Sequence, residues 1–407
     1  MNHKFKQTEI GLIPSDWEAK KLGDLIKLKN GYAFSSDNFS NSGPIVLTPG
    51  NFKLNGGLYF NDRNTIRYSG NISKEMVFQN GDLLIVMTDL TPDCNLLGKP
   101  GLVNSDEKVL HNQRIGKISI ANHSVLKDYL YWFFVSELFS KRMKETATGS
   151  TVRHTSVGSI NNSKIPLPPT KIEQTAIATA LSDADGLITS LEKLIAKKRN
   201  IKQGAMQELL RPKEGWVVKK LGEVIEKIIG GGTPSRSNKL YWCGEIPWVT
   251  VKDFATFNPC MSQEYITKEG LKNSASHLIP KGTLITSTRM AVGKAIIYQV
   301  DVSINQDLKA IFPKSNLDIL FLFHWFERNA VSIESLGSGS TVMGISLGEL
   351  KNIEIAIPST KVAQLAIATI LSDMDTEISI LEKKLEKAKQ VKQGMMQQLL
   401  TGKIRLV

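Results

Sequence analysis

A chain of 407 residues, 41% hydrophobic and 22% charged, is too long for one hydrophobic core and too apolar for wholesale disorder, so two or three folding units are expected. Its formal charge of +12, with pI near 9.4, suits a polyanionic partner. That excess is spread as +5 over residues 1–170, +3 over 171–213, +1 over 214–357 and +3 over 358–407, with no polycationic tail. Three cysteines (Cys94, Cys243 and Cys260) without CxxC spacing exclude a zinc cage and a disulfide scaffold, and read as small buried hydrophobes in a reducing compartment. No apolar run reaches the 18 residues of a membrane span and no signal-peptide pattern opens the chain, so a cytoplasmic location is expected.

In chain order, a first globular module is expected over residues 1–165. Strand-like runs at 82–88 and 116–120 stand between Gly, Pro and Asn turns. An aromatic-rich helix over 126–145 follows, then a Gly-Ser-Thr loop at 149–151 and a short strand. The prolines between Pro166 and Pro169 stop that strand and open a long helix, assigned to 166–212. A second module, 213–355, repeats the scheme with strands at 283–287 and 294–298, an aromatic helix over 317–335 and a Gly-Ser-Thr loop at 339–341. A second long helix closes the chain over 356–407.

The two halves are copies. Residues 168–210 align without a gap on 358–400, at an offset of 190, with 24 of 43 positions identical. Upstream the match loosens: Trp17 aligns with Trp216 at 199, Pro44 with Pro247 at 203, Gly81 with Gly282 at 201, and Asn112-Gln113 with Asn305-Gln306 at 193. In the second long helix Ile367, Leu371, Met374, Ile378, Leu381, Leu385, Ala388, Met395 and Leu399 recur at 3–4 spacing, interrupted at Lys392. Ile177, Leu181, Ala184, Ile188, Leu191 and Ile195 repeat this in the first, so a coiled-coil seam is expected between them. About 40 residues at ~1.5 Å each give a rod of roughly 60 Å. The fold class is therefore mixed α/β (α+β): two globular modules and two long helices that pair about a pseudo-two-fold axis.

The sequence carries no GxxxxGK[ST] phosphate loop, no GxGxxG after a strand, and no HExxH, GxSxG or EF-hand pattern. Gly230-Gly231-Gly232-Thr233-Pro234 meets proline where a phosphate-cradling helix would begin. The six histidines are scattered, with no pair at i, i+3 or i, i+4. Asp183-x-Asp185 recurs as Asp373-x-Asp375. These acids are expected early in their helices, complementing the dipole or contacting a partner rather than holding metal. Asn112-Gln113 and Asn305-Gln306 recur in both modules, which points to a structural turn, because elements that read different sequences should differ.

The opening TEIGLIPSDWEAKKLGD, the NGYAFSS of 30–36 and the GGTPSRSN and YWCGEIPWVTVKD runs within 231–253 form one set with the paired GSTVRHTSVGSINNSKIPLPP and GSGSTVMGISLGELKNIEIAIP and the ending KQGMMQQLLTGKIRLV. In order and in duplicate, over nearly the whole chain, the set resembles the specificity (S) subunit of Type I restriction-modification enzymes. The resemblance implies two target-recognition domains separated by two conserved antiparallel helices, which set a spacer and dock modification (methyltransferase) subunits, two of them. It further implies restriction (translocase/endonuclease) subunits joined through the complex, a bipartite target in double-stranded DNA, and no catalysis by the chain itself. No cofactor belongs to the chain; S-adenosylmethionine, ATP and magnesium would belong to its partners.

Reading DNA needs Arg or Lys on guanine, Asn or Gln on adenine and hydroxyls on phosphate, presented by loops. In the first module these criteria select Lys29, Tyr32, Arg63, Arg67, Lys99, Arg114, Arg153 and His154. In the second they select Ser235, Arg236, Ser237, Lys239, Lys252, Arg289 and Lys294. Arg153 and Arg236 stand foremost, in Gly/Ser-rich loops beside the family motifs.

Overall fold

The computed structural model describes residues 4–91, 93–337 and 344–406. The expected Gly339-Ser340-Thr341 loop lies outside them. Two compact units emerge: Met1–Leu191 with Lys384–Val407, and Glu192–Lys383. Both dividing lines fall inside a long helix. Each unit therefore holds one module, the first half of the helix that follows it and the second half of the other helix.

In the first unit, strands β1 (Ile26–Asn30), β2 (Leu83–Val86), β3 (Pro100–Leu102) and β4 (Ile115–Ile120) form an antiparallel sheet in the order β1-β4-β2-β3. In the second, β5 (Ile225–Gly230), β6 (Leu284–Ser287), β7 (Ala295–Ile297) and β8 (Leu308–Pro313) repeat that order as β5-β8-β6-β7. The Leu-Leu-Ile-Val run of β2 is buried throughout because its two faces serve different cores. Leu83 and Ile85 meet Tyr129, Phe133 and the long helices, while Leu84 and Val86 meet Phe52, Phe78 and Val103 under a smaller sheet. Leu284 and Ile285 divide in the same way between the two cores of the second module.

The aromatic helices lie on the larger core. The first was expected as one element, but it is two, α1 (Lys127–Val135) and α2 (Glu137–Thr146). Ser136 interrupts it with extended backbone, its hydroxyl accepting the Phe139 N–H as an N-cap. The second module keeps a single helix, α4 (Ile319–Ser335), after the first long helix, α3 (Lys171–Leu209). The second long helix, α5, spans Lys361–Leu399. At the head of α3, Gln174 accepts the Leu126 N–H (2.8 Å) and donates to the Ser124 (2.8 Å) and Pro168 carbonyls. Gln364 of α5 accepts from Asp318 (2.8 Å) and donates to Asn316 and Pro358 (both 3.1 Å), clamping its own module identically.

Within the second unit Lys198 pairs with Glu377, Arg199 with Glu382 and Lys202 with Asp375; from Arg199–Glu382 to Lys202–Asp375 the number rises on one helix as it falls on the other, as antiparallel packing requires. Lys392, the interruption in the apolar pattern, is itself in the seam: it is buried, pairs with Asp185, and lies 4.7 Å from the Trp132 ring centroid. This also corrects the dipole assignment of the repeated acids. Asp185 and Asp375 lie several turns inside their helices and each neutralises a lysine of the opposite helix, whereas Asp183 and Asp373 are exposed.

Two further expectations are corrected. Cys243 and Cys260 are exposed and only Cys94 is buried, because Cys243 sits in a strand irregularity at φ +59° and Cys260 in a tight turn. Pro44 and Pro247 are not equivalent: the Thr48/Asn51 and Thr250/Asp253 capping boxes superpose at an offset of 202, which leaves the prolines one position apart. Among the described residues no helix is long and apolar enough to cross a membrane.

Candidate nucleic-acid interface

Each module carries the same backbone crossing at one end of its β1-β4-β2-β3 or β5-β8-β6-β7 sheet. In the first, Met87 N–H donates to the Arg114 carbonyl (2.9 Å) and Thr155 N–H to the Met87 carbonyl (3.0 Å). In the second, Thr288 N–H donates to Asp307 (2.9 Å) and Ile345 N–H to Thr288 (2.9 Å). Beside it, Tyr32 N–H donates to His111 (2.8 Å) and Gly232 N–H to Ile304 (3.0 Å). A Cβ on Gly31 would stand 2.3 Å from the Asn112 oxygen, and one on Gly231 1.9 Å from the Ile304 oxygen. Gly231, and Gly232 whose Cβ would stand 2.6 Å from the Ala275 carbonyl carbon, are thus required by close backbone approach. Asn112 and Asn305 accept the N–H groups of Arg114 (3.0 Å) and Asp307 (3.2 Å), forming the turn expected of them.

The first crossing gathers three of the selected residues. Arg114 is exposed, and the short strand Arg153–His154 pairs with Thr88–Asp89 across it. Arg153 donates one guanidinium N–H to the Gly149 carbonyl (2.9 Å), while its Nε is buried without a partner; exposed His154 contacts the Thr88 hydroxyl through Nδ1 (3.1 Å). Lys29 is exposed on β1 with its ammonium 5.6 Å from the Tyr32 ring, and the Tyr32 hydroxyl donates to Glu75 (3.3 Å). At the second crossing Arg289 is exposed, 3.7 Å from Asp307, on the turn that leads to exposed Lys294.

Lys99 occupies the position equivalent to Lys294, its carbonyl accepting the Val86 N–H as that of Lys294 accepts the Ser287 N–H. Its side chain turns inward instead, donating to Ser140 Oγ (2.8 Å). Burial, aided by nearby Lys144, pushes the Lys99 ammonium down to about 8.

The remaining residues cluster about the other sheet of each module, apart from the crossings: Phe39–Val46, Ile66–Tyr68 and Val109–Leu110 in the first, and Trp242–Val249, Glu264–Ile266, Leu278–Ile279 and Val302–Ile304 in the second. Arg63 is exposed in a turn, and Arg67 forms a forked pair with Glu107 while donating to the Gly43 carbonyl (2.8 Å). In the second module Ser235, Arg236, Ser237 and Lys239 line one exposed loop, with the Ser235 and Ser237 hydroxyls 2.8 Å apart; Lys252 is exposed nearby. Arg236 lies flat on Trp242, 3.8 Å from its ring centroid, and forks onto Glu264 at 2.5 and 3.0 Å. That fork holds the Glu264 carboxyl below the usual range. Glu107 and Glu264 were passed over in the sequence because their arginines stand 40 and 28 residues away. The aromatic run at 241–248, next to Arg236, was the one local signal.

Among the described residues one cluster has metal-ligand chemistry: His324, Glu327 and Asp375. The Lys202 ammonium already fills it, 2.6 Å from Asp375 and 3.1 Å from Glu327. Both ring nitrogens of His324 are also engaged, Nδ1 by Glu327 (2.8 Å) and Nε2 by Ser372 (3.1 Å). The cluster is an internal ion-pair network.

A family model described as the Type I restriction modification DNA specificity domain matches residues 14–203 and again 213–390. The chain belongs to this family. It is therefore a DNA-specificity subunit of the Type I restriction-modification class, and its two family domains correspond to the two copies seen in sequence and structure. It is 28% identical to the putative type I restriction enzyme MjaX specificity subunit of Methanocaldococcus jannaschii, over 99% of this chain and 97% of that one. It is 29% identical to the type I restriction enzyme EcoR124I/EcoR124II specificity subunit of Escherichia coli, over 63% and 64%. Its fold matches the crystal structure of the Type I S subunit from M. genitalium with a TM-score of 0.63, at 15% identity, covering 98% of this chain and 99% of that one.

Proposed function

We propose that this specificity subunit reads a bipartite target in double-stranded DNA, one half-site for each of the modules 1–165 and 213–355. The long helices, assigned to 166–212 and 356–407, set the spacer and dock modification subunits in the cytoplasm, and restriction subunits join through that complex. The observation that carries this reading is the duplication: two modules share one sheet order and one backbone crossing yet differ in the side chains they expose. Such a pair suits two half-sites of different sequence. Lys29, Arg114, Arg153 and His154 on the first module, and Arg289 and Lys294 on the second, are proposed DNA contacts at the crossings. Tyr32, half-exposed beside Lys29, is a further proposed contact, and Lys99 is proposed to support them from within the first module. Arg63, Arg67, Ser235, Arg236, Ser237, Lys239 and Lys252 are proposed contacts about the other sheet of each module.

The test is genome-wide mapping of methylated bases in cells that express the chain with its modification subunit. One split sequence with a constant spacer, absent when the chain is removed, is the expected result. Methylation that persists unchanged without the chain would overturn the proposal.

A further inference from the structure

The backbone frame of the modules recurs, and so does one concave site, whose side chains come from different positions in each. In the second module the strand Trp242–Val249 pairs with Glu264–Ile266 and slips register between Trp242 and Ile246. In the first, Phe39–Val46 pairs with Ile66–Tyr68 and slips between Ser40 and Ile45. Such irregularities re-aim side chains and favour functional sites. Beside each slip lies a small open cavity, about 520 Å³ by Trp242, Gln263 and Tyr265, and about 370 Å³ by Ser40, Phe60 and Thr65. Each holds a forked Arg–Glu pair, Arg236–Glu264 in one and Arg67–Glu107 in the other. The pairs are built from different positions: Glu264 lies on the strand opposite Trp248, whereas Glu107 comes from the turn before Val109. A common site holding the same two functional groups from unrelated positions is what two readers of different half-sites would contain.

The second pair is held ready. Trp242 donates its indole N–H to the Ser235 carbonyl and Trp248 to the Gly232 carbonyl, both at 3.0 Å, so the loop that carries Arg236 is pinned on either side. The guanidinium stacks on one of these rings and lies 5.0 Å from the centroid of the other, yet its side chain remains 54% exposed.

We propose that each Arg–Glu pair reads one G·C base pair through the major groove, the arginine taking guanine O6 and N7 and the glutamate, freed from its partner, taking the cytosine N4 amino group. With A·T in its place the adenine N6 amino group faces the arginine and thymine O4 faces the carboxylate, so both charged groups meet the wrong polarity. The inference rests on the DNA-reading role proposed above and names specificity-determining residues for it, Glu264 and Glu107 included.

The test uses the full chain co-expressed with its modification subunit, carrying in turn Arg236→Lys, Glu264→Gln, Arg67→Lys and Glu107→Gln, with thermal unfolding of each purified complex. Lysine keeps the charge but cannot fork. The first two variants should each relax the same G·C position in one half-site, with a roughly 5- to 150-fold loss of preference, and leave the other half-site intact. The last two should do the converse. Weaker methylation of an unaltered sequence, or loss of folding in both members of a pair, would overturn the inference by making the pairs structural. A wild-type chain that directs no methylation would instead remove the role on which it rests.

Discussion

Lys99 and Lys294 occupy equivalent turns, yet one ammonium is enclosed and the other is in solvent. Nothing local in the sequence separates them. The difference comes from α2, which brings Ser140 and Lys144 over Lys99, where the end of α4 places Ala330 and Ile333 beside the equivalent turn. With its folded value near 8 and its ordinary value at 10.5, Lys99 binds fewer protons in the folded chain than in the unfolded one between those limits. Stability from this group therefore rises with pH from about 8 upward and is lowest below it. Unfolding free energies of the wild type and Lys99→Met, measured at pH 7 and pH 10, should show the wild type gaining on the variant by up to about 3 kcal/mol. Parallel behaviour at the two pH values would contradict the enclosed position.

At the scale of the helices, one arrangement is used twice with different chemistry. Lys392 and Lys202 are equivalent, as are Asp185 and Asp375, and each lysine meets the aspartate of the opposite helix. The third partner differs: the Trp132 ring faces Lys392, while the Glu327–His324 pair faces Lys202. Burial pushes the Glu327 carboxyl up, but His324 and Lys202 together hold it below its ordinary value. For Asp375 burial outweighs Lys202 and the value is raised. Removing Lys202 leaves two facing carboxylates, Asp375 at 43% and Glu327 at 30% exposure, whereas removing Lys392 leaves Asp185, 38% exposed, with no second carboxylate beside it among the described residues. Lys202→Met should thus cost more in urea unfolding than Lys392→Met, about 2–3 kcal/mol against about 1 kcal/mol. Equal losses would mean that the third partner is irrelevant. The heptad pattern exposed the seam but marked Lys392 as a flaw, because an apolar count cannot register a lysine whose counter-ion lies 207 positions away.

At the scale of the whole chain, the first unit is assembled from both ends of the sequence. Leu399 and Leu400 complete the core around Trp17, Ile177 and Leu181, as Leu210 does around Leu221 and Leu371 in the second unit. In the second unit the chain runs on from Leu210 to Trp216. In the first, the same junction is made without a covalent link: Arg405 forks onto Asp16 at 3.1 Å and also binds Glu173, which is fully enclosed. Arg405→Ala would strand the Glu173 charge, costing about 3–5 kcal/mol. Hydrogen exchange should quicken around Trp17 and in the first turns of α3, with the second unit unchanged. Uniform exchange in both units would show that the junction does not depend on this pair.

Periodicity and internal repetition are properties of the chain itself, and they sufficed for the two modules, the two long helices and the recurring asparagine turns. Each depends on residues near one another or on exact duplication, and the ordered family motifs carried the functional class from there. The break at Ser136, the buried Lys392, the exposure of Cys243 and Cys260 and the Arg–Glu pairs depend on which distant segments meet. Burial and charge pairing are set by those tertiary neighbours, so only the folded chain decides which of its many surface arginines and lysines are free and which are already engaged.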